Sequence, residues 1–342
     1  MAYGFRDDKF KYGISGKWLL DKKSRLIISG GNRRDVEQIG ASLTLSQDVL
    51  GRGLASSAVV GTSVNDKLTN INISTLSLEI EPWRNIIWRL SGNYRTLESA
   101  SETFSLDFFD EDAPSGVSSE IKQFETSFSV QYYPGRKMTG FGVERYTAND
   151  NFPQLFAQVS LGDKNFFNSD FDYTKLQFSY VQPWAIGGLG RLTSVIEVGK
   201  TFGAVPLGLL SVIPGNQSYF NIFNTFNQLD FYEFVTDTYA SVHLEHNFNG
   251  RILSRVPFLR KANLREIIGI RGAFGEISDE NRAINATGVP YLAPSDDPYY
   301  EYYFGVGNIF RILRIDFNFR GNYKDLPDAR NFGITGSFGF YF

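Results

Sequence analysis

The sequence lacks the features that would make it a helical membrane protein or a nucleotide-binding enzyme. Cysteine is absent, and no stretch reaches the roughly 18 uninterrupted apolar residues that a transmembrane helix needs. Hydrophobic residues make up 42% of the chain, yet its mean hydropathy is -0.21. A bundle of apolar membrane helices is therefore excluded. No glycine-rich phosphate loop follows a strand and opens a helix, so no cofactor is predicted.

The sequence also has no strong excess of positive or negative charge. The 34 basic and 37 acidic residues are interspersed and leave a net charge of -3. Nucleic-acid binding needs a concentrated basic face, so no nucleic-acid partner is expected. No apolar signal-peptide segment follows Met1, and we expect the chain to be a processed or truncated product without its signal peptide and any periplasmic domain. No internal repeat or linker appears, and we expect a single domain over residues 1–342.

Aromatic residues and glycine are abundant, and they are arranged with a period of two. Aromatics reach 15% of the chain, and there are 33 glycines. In residues 331–342 one face is apolar and the other is small or polar. In residues 313–320 aliphatic or aromatic residues alternate strictly with charged or amide residues. A soluble sandwich also alternates, but its buried face would not carry so many charges, whereas a strand between lipid and an aqueous lumen does.

The fold class predicted from this pattern is all-β, a transmembrane antiparallel β-barrel in the bacterial outer membrane. At ~9–11 residues per strand plus connections, the length suits about 14–16 strands. The segments that carry the pattern are residues 12–20, 71–80, 84–94, 124–132, 155–161, 172–181, 192–198, 241–247, 264–274, 299–307, 313–320 and 331–342.

Loop lengths give a second indication of the topology. Bacterial barrels have short periplasmic turns and longer extracellular loops. When the C-terminus is placed at the periplasmic side, the long connections 203–234, 277–298 and 323–330 fall outside, and 183–190, 249–262 and 308–311 fall inside. Before about residue 150 this count is ambiguous, because residues 103–109 fit either a strand or a loop.

The polar side chains on the alternating strands are candidates for the lumen. They are His243, Glu245, Arg271, Arg314, Asp316 and Arg320. Two interpretations remain open: an ion-pair network that fills the barrel, or a surface that guides a substrate. His243 and His246 face opposite sides of a strand and cannot share a metal ion without a bulge. No catalytic or metal site is predicted, and we expect a protein that is not an enzyme.

Motifs spread over nearly the whole chain resemble one family. They include Ser169-Asp170-Phe171-Asp172-Tyr173-Thr174-Lys175, Gly215-Asn216-Gln217-Ser218-Tyr219, Phe234-Val235-Thr236-Asp237-Thr238-Tyr239, Leu244-Glu245-His246-Asn247-Phe248, Val256-Pro257-Phe258-Leu259-Arg260 and Gly305-Val306-Gly307-Asn308-Ile309-Phe310-Arg311. The chain resembles the C-terminal barrel of a Bacteroidota outer-membrane family of unknown function, which usually follows a carboxypeptidase-regulatory-like domain. That family is similar to the BamA/TamA-like surface-antigen superfamily, whose barrels insert or translocate outer-membrane proteins.

The resemblance implies sixteen strands, a seam between the first and last strands, and a C-terminal assembly signal at Phe340 and Phe342. Two features of the superfamily are not found in these 342 residues. Its sixth extracellular loop carries a Val-Arg-Gly-aromatic motif that folds into the lumen, whereas the corresponding residues 203–234 contain no Arg-Gly-aromatic sequence. POTRA-type periplasmic domains are also missing. The residues of this loop expected to plug the lumen are Pro214, Gly215, Asn216 and Tyr219.

Three functions remain open. In the first, a weakly paired seam between residues 12–20 and 331–342 helps outer-membrane proteins or lipoproteins to enter or cross the membrane. In the second, the barrel is a structural subunit of a larger envelope complex, and in the third it is a passive pore. Outer-membrane lipid and lipopolysaccharide are expected partners in each case, with protein clients or complex subunits in the first two. The seam candidates are Tyr12, Ile14, Trp18, Gly333, Gly336 and Gly339.

Overall fold

A computed structural model describes residues 2–4, 9–37, 67–101, 104–111, 113–286, 292–327 and 329–339. Its main element is one sheet of fourteen strands, in which each strand is hydrogen-bonded to its neighbours in chain order. The strands are β1 Ala2–Gly4, β2 Lys9–Asp21, β3 Leu26–Glu37, β4 Thr69–Trp83, β5 Ile86–Ser99, β6 Glu120–Tyr132, β7 Gln154–Gly162, β8 Tyr173–Ala185, β9 Arg191–Phe202, β10 Thr238–Asn247, β11 Arg265–Glu276, β12 Tyr299–Ile309, β13 Leu313–Arg320 and β14 Phe332–Phe338.

Every pairing in this sheet is antiparallel, and the two faces of the sheet have opposite chemistry. In β11, Ile270 is 47% exposed while the adjacent Arg271 is 8% exposed. The same inversion, apolar outside and polar inside, recurs from β4 to β14. In water, an exposed apolar face of this extent would be unfavourable, and charged side chains would be expected on the exposed face and not on the buried one. The pattern fits a sheet whose outer face meets lipid.

The connections at the two ends of the sheet differ in length. At one end, the short-turn end, residues 22–25, 84–85, 186–190 and 310–312 join consecutive strands, and the longer segments 133–153 and 248–264 also lie there. At the other end, the long-loop end, lie residues 100–119, 203–237 and 277–298. Within the described residues 104–109, only Phe108–Phe109 forms a strand, and it pairs with Val117–Ser118 outside the main sheet, so this segment is a loop.

The predicted fold class is confirmed, and each predicted strand segment overlaps a strand of the sheet. The described residues contain fourteen strands of this sheet, a number that lies within the predicted range of about 14–16. β1 and β3 are additional to the predicted set. Gly30 and Gly31 and the charges at Arg33 and Arg34 interrupt the apolar alternation of β3, which explains why the sequence did not predict it. Phe340 and Phe342, the predicted assembly signal, lie outside the described residues.

Residues 203–234, here called the plug loop, lie inside the curved sheet and contribute eleven buried apolar side chains to its core. A short hairpin between Ser211–Val212 and Val235–Thr236 and a 3₁₀ turn at Leu207–Leu209 shape the loop. Its buried apolar side chains pack on residues of the sheet and of the neighbouring loops, namely Leu97, Phe104, Leu106, Ile121, Phe171, Tyr173 and Ile277. No helix in the described part of the chain is long and apolar enough to span a membrane.

Candidate functional site: the plugged lumen and the edge of the last strand

Glu301 of β12 is the anchor of the plug loop. Its side chain is 1% exposed, and its two oxygens accept the backbone N–H groups of Asn227 at 2.8 Å and Gln228 at 2.9 Å. Arg271 donates to the same carboxylate at 2.6 Å, and the Tyr299 hydroxyl donates at 3.1 Å. A buried carboxylate needs several donors to offset its lost hydration. Two of those donors are backbone groups of the plug loop, so Glu301 fixes the position of the loop.

Two arginines hold the loop from the other side. Arg320 is 1% exposed, donates to the carbonyl of Gln228 at 3.2 Å and forms an ion pair with Glu233. Arg330 donates to the carbonyl groups of Asn216 and Leu229, each at 2.9 Å. The guanidinium group offers several donors in a fixed plane, which suits it to binding carbonyl groups of an irregular segment. Side chains of the sheet and Arg330 therefore satisfy several backbone polar groups of the loop.

A network of amides joins the centre of the loop to the last two strands. Asn227 donates through Nδ2 to Asn318 at 2.9 Å, to Asn221 at 3.1 Å and to Thr335 at 3.2 Å. Asn216 donates to Asn227 at 2.8 Å. Buried amide groups pair specifically because each has both donors and acceptors. This network connects the plug loop to β13 and β14 in one arrangement.

The other predicted lumen residues lie on the inner face, nearer the short-turn end. Arg314 donates to Glu245 at 2.6 Å and to Asp316 at 2.8 Å. The Tyr303 hydroxyl also donates to Glu245, at 2.8 Å. His243 packs edge-on against the ring of Phe226, with 4.7 Å between ring centroids. The structure thus brings the six predicted side chains together in one polar interior, in which the acidic residues face arginines.

A cavity of about 480 Å³ separates the plug loop from the short-turn end. Its lining includes Arg191, His243, Glu245, Arg271 and Arg314 from the sheet. Residues 221–224 of the plug loop form its remaining wall. No group of three His, Cys, Asp or Glu residues able to hold a metal ion occurs among the residues described. The plug loop thus forms one wall of a cavity whose lining combines charged side chains of the sheet with apolar side chains.

The predicted plug residues form the turn at the centre of the loop. The carbonyl of Pro214 accepts the N–H of Phe226 at 2.8 Å, and Asn216 donates to the carbonyl of Phe226 at 2.9 Å. Gly215 lies against the backbone of Leu229, where a Cβ atom would come within 2.6 Å of a carbonyl oxygen. Glycine is required there because the two backbone segments touch.

Tyr219 leaves this turn and reaches the outer edge of β14. The carbonyl of Tyr219 accepts the N–H of Gly336 at 2.8 Å, and the N–H of Asn221 donates to the carbonyl of Gly336 at 2.8 Å. Gly333, on the same strand, lies under the plug loop: a Cβ atom there would be 2.8 Å from Nε2 of Gln228. Gly339, by contrast, has no atom within 4 Å of such a Cβ. The three glycines of the predicted seam therefore have different environments.

The first strands form the other side of the seam. β2 pairs with β1 only at Lys9–Lys11, and the stretch that holds Tyr12, Ile14 and Trp18 pairs with β3. Ile14 is 71% exposed and Trp18 is 62% exposed. Within the described ranges 2–4, 9–37 and 329–339, no ladder of hydrogen bonds joins β14 to β1 or β2.

Asp237 stabilises the long-loop end, where the plug loop returns to the sheet. Its carboxylate accepts the backbone N–H of Ser278 at 2.6 Å and the Asn281 amide at 2.9 Å. Burial raises the pKa of Asp237, but the hydrogen bonds to Ser278, Asn281 and Thr238 outweigh burial and hold the pKa below its ordinary value. Asp237 therefore joins the base of the plug to the loop over residues 277–286.

The sequence did not predict the anchors Glu233, Glu301 and Arg330. It also did not predict Glu197 of β9, which accepts a hydrogen bond from the Asn224 amide of the plug loop at 3.2 Å. Glu301 alternates with exposed Tyr300 and Tyr302 in β12, so the period-two pattern places it on the inner face. That signal was available for Glu301, and for Glu197 in β9. Glu233 and Arg330 lie in connections, where no periodicity indicates which side chains are buried.

The fold and the polar interior define a β-barrel protein of the outer-membrane type with a plugged lumen. The chain belongs to the family of unknown function DUF5686, whose C-terminal domain profile matches residues 92–278. The resemblance stated from the sequence motifs is thereby confirmed. No curated protein matches the chain.

Many solved structures are similar to this chain. BamA from Haemophilus ducreyi lacking POTRA domains 1-3 aligns with a TM-score of 0.58 at 11% identity, over 96% of this chain and 62% of that chain. OccK11 (OpdR) from Pseudomonas aeruginosa aligns with a TM-score of 0.35 at 10% identity, over 92% of this chain and 65% of that one. The chain thus spans less than two thirds of either structure. The likeness to BamA shows a shared barrel fold.

Proposed function

We propose that the protein resides in the bacterial outer membrane with its short-turn end toward the periplasm. Support comes from the apolar outer face and from the distribution of tryptophan. Trp18, Trp83, Trp88 and Trp184 are all at least 36% exposed and all lie near the short-turn end. Tryptophan favours the boundary between lipid and water because its ring is apolar and its N–H is polar. Short turns on the same side fit the periplasmic face of bacterial barrels.

Within that membrane, we propose that the seam beside β14 receives a β-strand of another outer-membrane protein or a lipoprotein during insertion or translocation. The observation that carries this proposal is the missing ladder between β14 and the first strands in the part of the chain described. In lipid, an edge strand with unpaired N–H and C=O groups is unfavourable, because no water is present to bind them. An entering strand would satisfy these groups by β-augmentation.

Site-specific photo-crosslinking in cells tests this proposal. A photoreactive residue at Ile334 of β14 faces outward at the seam, where the side chain is 48% exposed. The matched control is Ile268 of β11, which is also 48% exposed on the outer face but lies between two paired strands. We expect adducts with newly made outer-membrane proteins at Ile334 and not at Ile268. Equal yields at both positions, or none at either, would contradict the proposal.

The second candidate function is a structural barrel in a larger envelope complex. The dense anchoring of the plug loop by Glu301, Arg320 and Arg330 favours it, because a permanently filled lumen needs no opening. Purification in mild detergent with partners at fixed stoichiometry would support this function. The passive pore has less support, because the plug loop fills the long-loop end of the lumen. We propose no enzymatic activity for either candidate.

A further inference from the structure

The plug loop forms a short parallel bridge with the outer edge of the last strand. Phe220 is bridged to Gly336, through the two 2.8 Å backbone hydrogen bonds that Tyr219 and Asn221 make with Gly336. Gly336 is opposite Ile315 of β13 in the sheet. In an antiparallel pair, every second residue directs its N–H and C=O away from its partner strand. Gly336 is such a residue, so the plug loop binds the side of β14 that faces the seam.

Side chains hold this segment in place from both directions. The Thr335 hydroxyl donates to the Asn221 side chain at 2.6 Å, and Asn221 donates in turn to Asp316, which is fully buried. On the outer side, the rings of Phe220 and Phe338 lie with centroids 6.3 Å apart. The bridge therefore combines backbone pairing, a buried polar contact and an aromatic contact.

The loop also shapes residues 219–221 from within. The Ser218 hydroxyl accepts the N–H of Phe220 at 2.9 Å, and the Asn216 amide donates to the carbonyl of Phe220 at 2.8 Å. These bonds satisfy the backbone groups of Phe220 that point away from β14. These bonds hold residues 219–221 in the extended conformation that pairs with β14.

We propose that Tyr219–Asn221 is a built-in edge strand, which occupies the place on β14 that an entering strand would take. The N–H of Gly336 is already donated to Tyr219, so a second strand cannot pair in register at this position until the segment is released. This inference rests on the proposed seam function and adds a regulatory step to it. A strand can enter the seam only when residues 219–221 are released from β14. The segment is short, so an incoming strand that pairs along all of β14 would gain more hydrogen bonds than it displaces.

A disulfide between Asn221→Cys and Thr335→Cys tests the inference in the full-length protein. The chain has no cysteine, so these are the only thiols present. In the docked segment the Asn221 and Thr335 side chains are in contact, with 2.6 Å between Oδ1 and Oγ1, so oxidation is expected to link the two cysteines. The control pair is Asn221→Cys with Ser77→Cys, a buried serine on the inner face of β4, which is expected to remain reduced. Failure of the first pair to oxidise would show that the segment is not docked on β14 and would overturn the inference.

The functional measurement uses a synthetic peptide with the sequence of residues 331–342 as the entering strand, and a photoreactive residue at Ile334. Without the disulfide, the peptide is expected to form adducts; oxidation is expected to reduce their yield about tenfold or more, and reduction to restore it. A Phe220→Ala variant, which loses the contact with Phe338, is expected to raise the yield.

The outcomes separate the two proposals. If adducts form equally in the oxidised and reduced protein, the seam accepts strands but residues 219–221 do not control entry, and the inference is overturned alone. If no adduct forms in any state, including the Phe220→Ala variant, the proposed seam function itself is refuted, together with the regulation that rests on it.

Discussion

Replacing Glu301 with alanine tests whether this side chain holds the plug loop in place in addition to stabilising the sheet. In the docked state the carboxylate binds two backbone N–H groups of the loop, at 2.8 and 2.9 Å. In an undocked loop those groups bind water, while Glu301 still pairs with Arg271 inside the sheet. The change in docking free energy therefore comes from the two hydrogen bonds, and each bond to a charged acceptor contributes roughly 1.5–3 kcal/mol. We expect docking to weaken by about 3 kcal/mol in the alanine variant.

The measurement is hydrogen–deuterium exchange of residues 216–233 in the purified protein in detergent. Backbone amides of the loop exchange when the loop is undocked, so their exchange rate reports the population of the undocked state. A loss of about 3 kcal/mol in docking free energy corresponds to roughly 100-fold faster exchange. Glu301→Gln keeps one carbonyl acceptor without the charge and should give an intermediate rate. Glu144→Ala is the control, because this exposed glutamate contacts only Lys17 at 3.0 Å among the pairs described and a surface pair contributes little.

Heat-induced unfolding supplies the second half of the test. The alanine variant leaves Arg271 buried with its contact to the Tyr303 ring at 4.5 Å but without its carboxylate. Breaking a buried pair costs about 3–5 kcal/mol, so the barrel should also unfold at a lower temperature. If unfolding shifts while exchange of residues 216–233 stays within about threefold of the original protein, Glu301 supports the sheet alone and our assignment of the anchor is refuted.

Three further predictions follow from the same structure. Gly333→Val is expected to weaken loop docking by about 1–3 kcal/mol, because its side chain meets Gln228, whereas Gly339→Val should leave exchange of the loop unchanged. The pKa of Asp237 is lowered in the folded protein, so its carboxylate stabilises the fold above pH 3.8, the ordinary pKa, and this stabilisation is lost as the pH falls through the lower pKa of the folded state. Asp237→Asn should therefore flatten the acid side of a plot of unfolding temperature against pH, and an unchanged plot would contradict this. Ile270→Arg on the outer face should cost about 2–4 kcal/mol at mid-membrane and reduce the heat-modifiable folded form on gels, and wild-type yields would argue against lipid contact there.

The sequence predicts the strands because lipid and lumen impose opposite demands on alternate residues. β13 shows this best, since residues 313–320 were predicted and Leu313–Arg320 is found. The pattern fails in β3, where Gly30 and Gly31 carry no side chains to report a face. There the strand is defined by its pairing with β2 and β4, which is a property of the whole sheet.

The lumen residues on strands could be selected by periodicity, but their partners could not. Arg320 was selected, yet its partners Gln228 and Glu233 lie in a connection about 90 residues away in sequence. Periodicity identifies the face of a strand and carries no information about which loop folds onto it. The contact between Tyr219 and Gly336 could not be predicted from the sequence either, because it is made by backbone atoms that every residue possesses.

The position of the plug's anchors has a consequence for the order in which the protein is built. Glu301, Arg320 and Arg330 all follow the plug loop in the chain, and they contact it across long sequence separations. While the chain is still incomplete, the loop has none of these partners, so it can settle only after β12 and β13 have emerged. Since the same loop also packs on Leu97 and Ile121 of the earlier strands, we expect its docking to be a late step that locks both halves of the sheet together.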